Sequence, residues 1–266
     1  MLIDNSPGKD KLSPCLKLGM PMDPFLLITL AACIALIAIL YSCVGHGGAS
    51  GYIAMMMLFG LIPGVIKPTA LVLNILVSSI AAIQFYRAGY FRWSLFWPFA
   101  CTSIPFAYVG GYFILPCEVY KVAVGITLLF SAMRLLIRSP LQKDDINHPS
   151  LPVSLFVGAV IGLISGLIGV GGGIFLSPLL ILLGWAGIKE TAAVSAFFVL
   201  VNSASGLLGH VNAAQNIPPM ALIIAVAAIS GGLAGSYLGS RRLPPLVIQR
   251  ALSIVLVIAG YKMILI

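Results

Sequence analysis

The sequence predicts an all-α polytopic membrane protein of two homologous halves. Each half has about four transmembrane helices plus one glycine-broken re-entrant segment. Three observations carry that prediction. Of the 266 residues, 60% are hydrophobic and only 8% charged, with a mean hydropathy of +1.10, and a soluble domain of this size could not hide so much apolar surface from water. The apolar residues gather into runs of roughly 20, the length that spans a hydrocarbon core. A glycine cluster also occurs twice, as Gly45-His46-Gly47-Gly48 and as Gly169-Val170-Gly171-Gly172-Gly173.

In chain order, residues 1–23 are polar, carry Lys9, Lys11 and Lys17, and read as a tail, with Met20 or Met22 as an alternative start. A signal peptide is disfavoured, because the first apolar run is too long and more membrane segments follow. Spanning runs at 24–44, 65–86, 94–114 and 119–137 make a first repeat over 24–137. A hydrophilic linker at 138–151, with Lys143, Asp144 and Asp145, separates it from a second repeat over 152–266. That repeat carries runs at 152–168, 190–209, 217–239 and 245–266. Two shorter apolar pieces, 51–62 and 174–184, each follow a glycine cluster. They are too short to cross a bilayer alone and read as half-helices.

The halves match in order. Ile66-Lys67-Pro68-Thr69-Ala70 resembles Ile188-Lys189-Glu190-Thr191-Ala192, and Gly110-Gly111-Tyr112-Phe113 resembles Gly235-Ser236-Tyr237-Leu238. Shared order of several short matches indicates duplication. Charge suggests how the halves relate. Arg87 and Arg92 follow the 65–86 run, whereas the equivalent loop of the second half has no Lys or Arg and its positive charge comes one loop later, at Arg241 and Arg242. The positive-inside rule then favours an inverted repeat, with each broken segment returning to its starting side and both termini outside; the lysines of the tail oppose this.

A net charge of +8 could mean nucleic acid, but the basic residues lie one or two at a time at the ends of apolar runs, the pattern of topology signals and headgroup anchors. The expected partners are therefore the lipid bilayer and a small anion, with no nucleic acid. The five cysteines form no C-x-x-C pair, and no metal or other cofactor is expected. An enzyme would need a carboxylate pair, a Ser/His constellation or metal ligands; His46, His148 and His210 are far apart in sequence. An accessory or assembly subunit without transport activity stays open as an alternative, and so does a permease for another small anion.

The glycine clusters are not nucleotide-binding loops. Their spacing is wrong for a dinucleotide fingerprint, and a P-loop needs Gly-Lys-Ser/Thr. The ladders Gly158, Gly162, Gly166 and Gly231, Gly235, Gly239 suit close helix packing instead. Gly171, Gly172 and Gly173 are denser than packing needs, and a break there frees the amides of a helix N-terminus, which attracts anions. The apolar runs carry almost no carboxylates, which a cation transporter normally requires. The candidate substrate-binding residues are Gly45, His46, Gly47, Gly48, Asn74, Gly171, Gly172, Gly173, Ser195 and Asn202. His46 doubles as a proton-coupling candidate, because histidine titrates near neutrality. Lys67 and Lys189 are expected to snorkel at the interface.

The stretch from Ile164 through Gly171-Gly172-Gly173 to Ser177-Pro178 resembles the signature of the TauE/SafE sulfite exporter family of membrane permeases. So do Arg87-Ala88-Gly89-Tyr90-Phe91-Arg92-Trp93, Gly231-Gly232-Leu233-Ala234-Gly235 and Arg241-Arg242-Leu243-Pro244-Pro245. The resemblance runs from about residue 24 to the C-terminus. The first cluster departs from the family pattern, carrying His46 and ending Gly48-Ala49-Ser50. The resemblance implies a secondary transporter, in the exporting sense, of a small sulfur-containing anion such as sulfite or an organosulfonate across the inner membrane. Small-residue ladders allow a homodimer.

Overall fold

Gly45 and Gly48 in the first cluster, and Gly169, Gly171 and Gly172 in the second, have positive φ. That conformation is open to glycine and disfavoured for residues with a Cβ, so the chain stops being helical at both clusters. The computed structural model describes residues 24–43, 45–113, 115–136, 149–212 and 220–241, with 257 and 261. The first half forms α1 (Pro24–Cys43), α2 (Ala49–Leu58), α3 (Pro63–Arg87), α4 (Trp93–Tyr112) and α5 (Cys117–Leu136). The second forms α6 (Leu151–Ile168), α7 (Gly173–Leu182), α8 (Ile188–Asn212) and α9 (Met220–Arg241). The expected linker falls mostly, and the expected span 245–266 almost wholly, outside the described residues.

Among the described residues, five helices are long and apolar enough to cross a membrane: α1, α3 and α6, with most of α8 and α9. The run expected at 94–114 forms α4, which has 20 residues but is less apolar because Trp, Tyr, Pro and Gly replace aliphatic side chains. The broken pieces α2 and α7 have 10 residues each, about 15 Å against a hydrocarbon core of about 30 Å. They are half-helices, as their length predicts.

The pairing of helices is exchanged between the halves. The α1 helix packs on α9 while its counterpart α6 packs on α4; α3 packs on α9 while α8 packs on α4; and α3 meets α8 at the centre. Residue pairs give the directions. Phe99, Ser103 and Ala107 of α4 face Gly158, Gly162 and Gly166 of α6, so those helices run parallel. Ala35 and Ile39 of α1 face Gly231 and Gly235 of α9, also in parallel. At the centre, Asn74 meets Ser203 and Leu71 meets Gly206, so α3 and α8 run antiparallel. Equivalent helices crossing in opposite directions is what an inverted repeat requires.

Both small-residue ladders are packing surfaces. A Cβ on Gly158, Gly162 or Gly166 would run into the carbonyl oxygens of Phe99, Ser103 and Ala107, and one on Gly231 or Gly235 into those of Ala35 and Ile39. Gly239 lies where side-chain surroundings are not described. Two apolar cores flank the centre. One gathers Tyr52, Ile53 and Met56 of α2 among α1, α3, α5 and α9. The other gathers Leu176 and Leu180 of α7 with Phe99, Ile161 and Phe198.

Gly162→Val should drive α4 and α6 apart and destabilise the protein by roughly 1–3 kcal/mol or more, read as a lower melting temperature in detergent. Gly64, on α3 with nothing within 4 Å of an added Cβ, is the control. Its change to alanine should be neutral or slightly stabilising; an equal loss at both positions would contradict the packing account.

Candidate functional site

The two breaks meet between α3 and α8. A Cβ on Gly47 would lie 2.7 Å from both Asn74 Oδ1 and Val199 Cγ1. One on Gly171 would lie 2.7 Å from Asn74 Nδ2, 2.8 Å from Ser203 Oγ and 2.9 Å from Val199 Cγ1. Asn74 on α3 and Val199 on α8 are thus held between glycines from opposite halves. Only backbone without side chains can approach this closely.

Around this junction lies a recess lined by Tyr41, His46, Gly47, Gly48, Ala49, Val170, Ile174 and Val199. It is narrow, with room for about one water molecule, so any larger ligand would have to widen it. Both half-helices begin here. Gly48 caps α2 at φ 96 and Gly172 caps α7 at φ 81, and neither N-terminus receives a side-chain cap. The first amides of each helix, on Ala49 and Ser50 and on Gly173 and Ile174, have no acceptor within their own helix. Two helix N-termini therefore bring positive partial charge toward one point. The Tyr41 and Ser50 hydroxyls pair at 2.7 Å beside it.

The expected site residues divide. His46, Gly47 and Gly48 line the recess; Gly171 and Gly173 press on Val199, and a Cβ on Gly173 would come 3.8 Å from His46 Cδ2. Asn74 is fully buried and donates through Nδ2 to the Val170 carbonyl and to Ser203 Oγ, both at 3.2 Å. It therefore ties α3 to the second break and to α8. Gly45 packs on Ala192 and Gly172 on Phe198 and Ile161, one step outside the recess. Ser195 pairs with Ser177 of α7 at 2.6 Å, joining α7 to α8. Asn202 accepts from Ser103 of α4 at 2.6 Å, on the α4 side of α8. Sequence reasoning missed Tyr41, Val199 and Ser203. A valine and a serine in an apolar run give no signal until α3 and α8 are known to cross antiparallel.

Several of the described charged residues sit near helix ends. Arg92 and Glu190 form an ion pair at 2.7 Å, and Lys189 donates to the Tyr90 hydroxyl at 2.9 Å while lying over that ring. Lys189 is exposed and sits as a snorkelling lysine should. Lys67 does not. It is buried, and its ammonium donates to the carbonyls of Gly110, Gly111 and Phe113 at 3.1–3.3 Å. The physical reason is the C-terminus of α4, whose last carbonyls lack intrahelical donors and carry partial negative charge. An ammonium has three hydrogens to give them.

A family model described as sulfite exporter TauE/SafE matches residues 30–263. Probable membrane transporter protein y4hK of Sinorhizobium fredii is 41% identical over 245 residues, covering 89% of this chain and 98% of the relative. A probable membrane transporter protein of Methanocaldococcus jannaschii is 25% identical over 250 residues, covering 86% and 92%. Probable membrane transporter protein YunE of Bacillus subtilis is 24% identical over 209 residues, covering 71% and 75%. No solved structure matches.

The two equivalent lysines should respond differently to loss of charge. Lys67→Met strands three carbonyls and should cost roughly 2–4 kcal/mol. Lys189→Met should stay within about 1 kcal/mol. Thermal unfolding in detergent measures both; equal effects would contradict the capping role of Lys67.

Proposed function

We infer the function from membership: this chain belongs to the sulfite exporter TauE/SafE family, and it is a multi-pass membrane transporter. We propose that it carries a small sulfur-containing anion, such as sulfite or an organosulfonate, out of the cell across the inner membrane. The observation that supports this most is the convergence of two uncapped helix N-termini on one recess. Among the described residues no carboxylate lines that recess, so nothing there repels a negative charge. Amides at a helix start bind oxyanions without a formal positive charge, which keeps binding weak enough for release. Asn74 would hold the second break in place while the anion is bound.

Equivalent helices that cross in opposite directions support alternating access about this point, in which one half rocks against the other. The membrane potential supplies a driving force: a monovalent anion gains about 2.3 kcal/mol per 100 mV on leaving a negative interior. His46 lines the recess beside the start of α7. In this reading it exchanges a proton as the anion enters or leaves, since histidine titrates between about pH 5 and 8.

Proteoliposomes containing the purified protein should release labelled sulfite faster than protein-free vesicles, and an outward-negative potential should slow the release. Failure to move sulfite, sulfonates or thiosulfate under any gradient would remove the transport reading. In the same assay with a simple alkyl sulfonate, whose charge is constant over this range, His46→Gln should leave a rate that no longer varies between about pH 5 and 8. An unchanged pH profile would remove the proton-coupling role and leave anion binding standing.

A further inference from the structure

We propose that Lys67 and His210 form a second, transient station for the transported oxyanion. It lies between the central recess and the end of the bundle at which α3 begins. The proposal rests on the transporter reading above and adds a step to it.

The register of the α3/α8 crossing sets the position. Asn74 faces Ser203 and Leu71 faces Gly206; continued in the same direction, this register brings His210 opposite Lys67. Both residues lie two turns from the central Asn74–Ser203 contact, about 10 Å along each helix. The second glycine cluster connects the two places. A Cβ on Gly169 would lie 3.2 Å from Lys67 Cγ, while Gly171, two residues on, touches Asn74 and Ser203.

His210 stands out among the buried polar side chains because both of its ring nitrogens are unpartnered. It is 1% exposed, and among the described residues neither Nδ1 nor Nε2 has a hydrogen-bond partner. Leaving a buried donor and acceptor unmade is destabilising, so a ring held this way needs a reason other than stability. The neighbouring helix α4 offers no bond to it: Gly209 packs on the backbone of Tyr108 and Tyr112, and the Tyr108 hydroxyl accepts from Asn212. Lys67 is buried, and its hydrogens are committed to the end of α4. Among the described residues, what offsets its positive charge there is a helix terminus worth roughly half a unit charge. An oxyanion arriving from the recess would meet that residual charge and a free imidazole donor together.

The station has no twin. The equivalent lysine, Lys189, is exposed and sits beside the Arg92–Glu190 pair. An otherwise pseudo-symmetric path thus has a buried cation at one end and a neutralised cluster at the other, which would give the route a polarity.

The test measures sulfite release from proteoliposomes with His210→Leu and His210→Gln, alongside melting temperature and equilibrium sulfite binding. Removing an unpaired buried ring should not lower the melting temperature. The expected result for His210→Leu is a maximal rate reduced about tenfold or more, with affinity within about twofold of wild type. Because His210→Gln restores a donor, its rate should recover to within about threefold of wild type. His210→Leu releasing sulfite at the wild-type rate overturns the station, as does a lowered melting temperature with a rate that falls only in step with folded protein. Wild-type protein that moves no anion overturns the transporter reading itself, a different outcome from either.

Discussion

A membrane interior offers no water to an unpaired amide or carbonyl, and this requirement governs the centre of the protein. Two helices are interrupted at glycine clusters, and each interruption frees backbone groups at membrane depth. Such breaks persist only where protein encloses them or a polar cavity accepts them. Here α3 and α8 enclose both. Their antiparallel crossing puts Asn74 and Val199 against Gly47 and Gly171, and Asn74 takes the Val170 carbonyl that the second break exposes. The amides at the starts of α2 and α7 remain directed at the recess between them. Structure and site have one origin: backbone that the fold leaves unpaired is what a ligand can use.

Glycine serves two physical roles in this chain, and the structure separates them. On α6 and α9 it is helical and removes a side chain so that carbonyl oxygens of α4 and α1 can come close. Without a hydrophobic driving force between helices in lipid, such close contact is the main source of cohesion. In the clusters it supplies positive φ and ends the helix. The first role holds the two halves together, because each ladder binds a helix of the other half. The second makes the recess.

Pseudo-symmetry is broken at two pairs of matched positions. Lys67 and Lys189 match in sequence, yet one is buried against the end of α4 and the other is exposed beside Tyr90. The glycine clusters match too, but only the first carries a histidine, and it lies next to the start of the other half's short helix. Two nearly equal halves thus have unequal ends, and a histidine stands at only one of the two breaks.

The sequence alone determined the class of protein, the extents of the described helices to within a few residues, the half-helices and the role of the small-residue ladders. These follow from composition, run length and glycine conformation, all local properties that need no knowledge of neighbours. It also pointed to His46, Asn74 and the glycine clusters, because polar or flexible residues stand out against apolar sequence. Only the tertiary structure decided which half supports which. The crossing of α3 and α8 brings Val199 to the recess and Ser203 to Asn74, engages Asn202 with α4, and turns Lys67 inward to cap a helix end. Those outcomes depend on register between segments far apart in the chain. A side chain's identity does not encode what lies opposite it, whereas the helix it belongs to is written in its immediate neighbours.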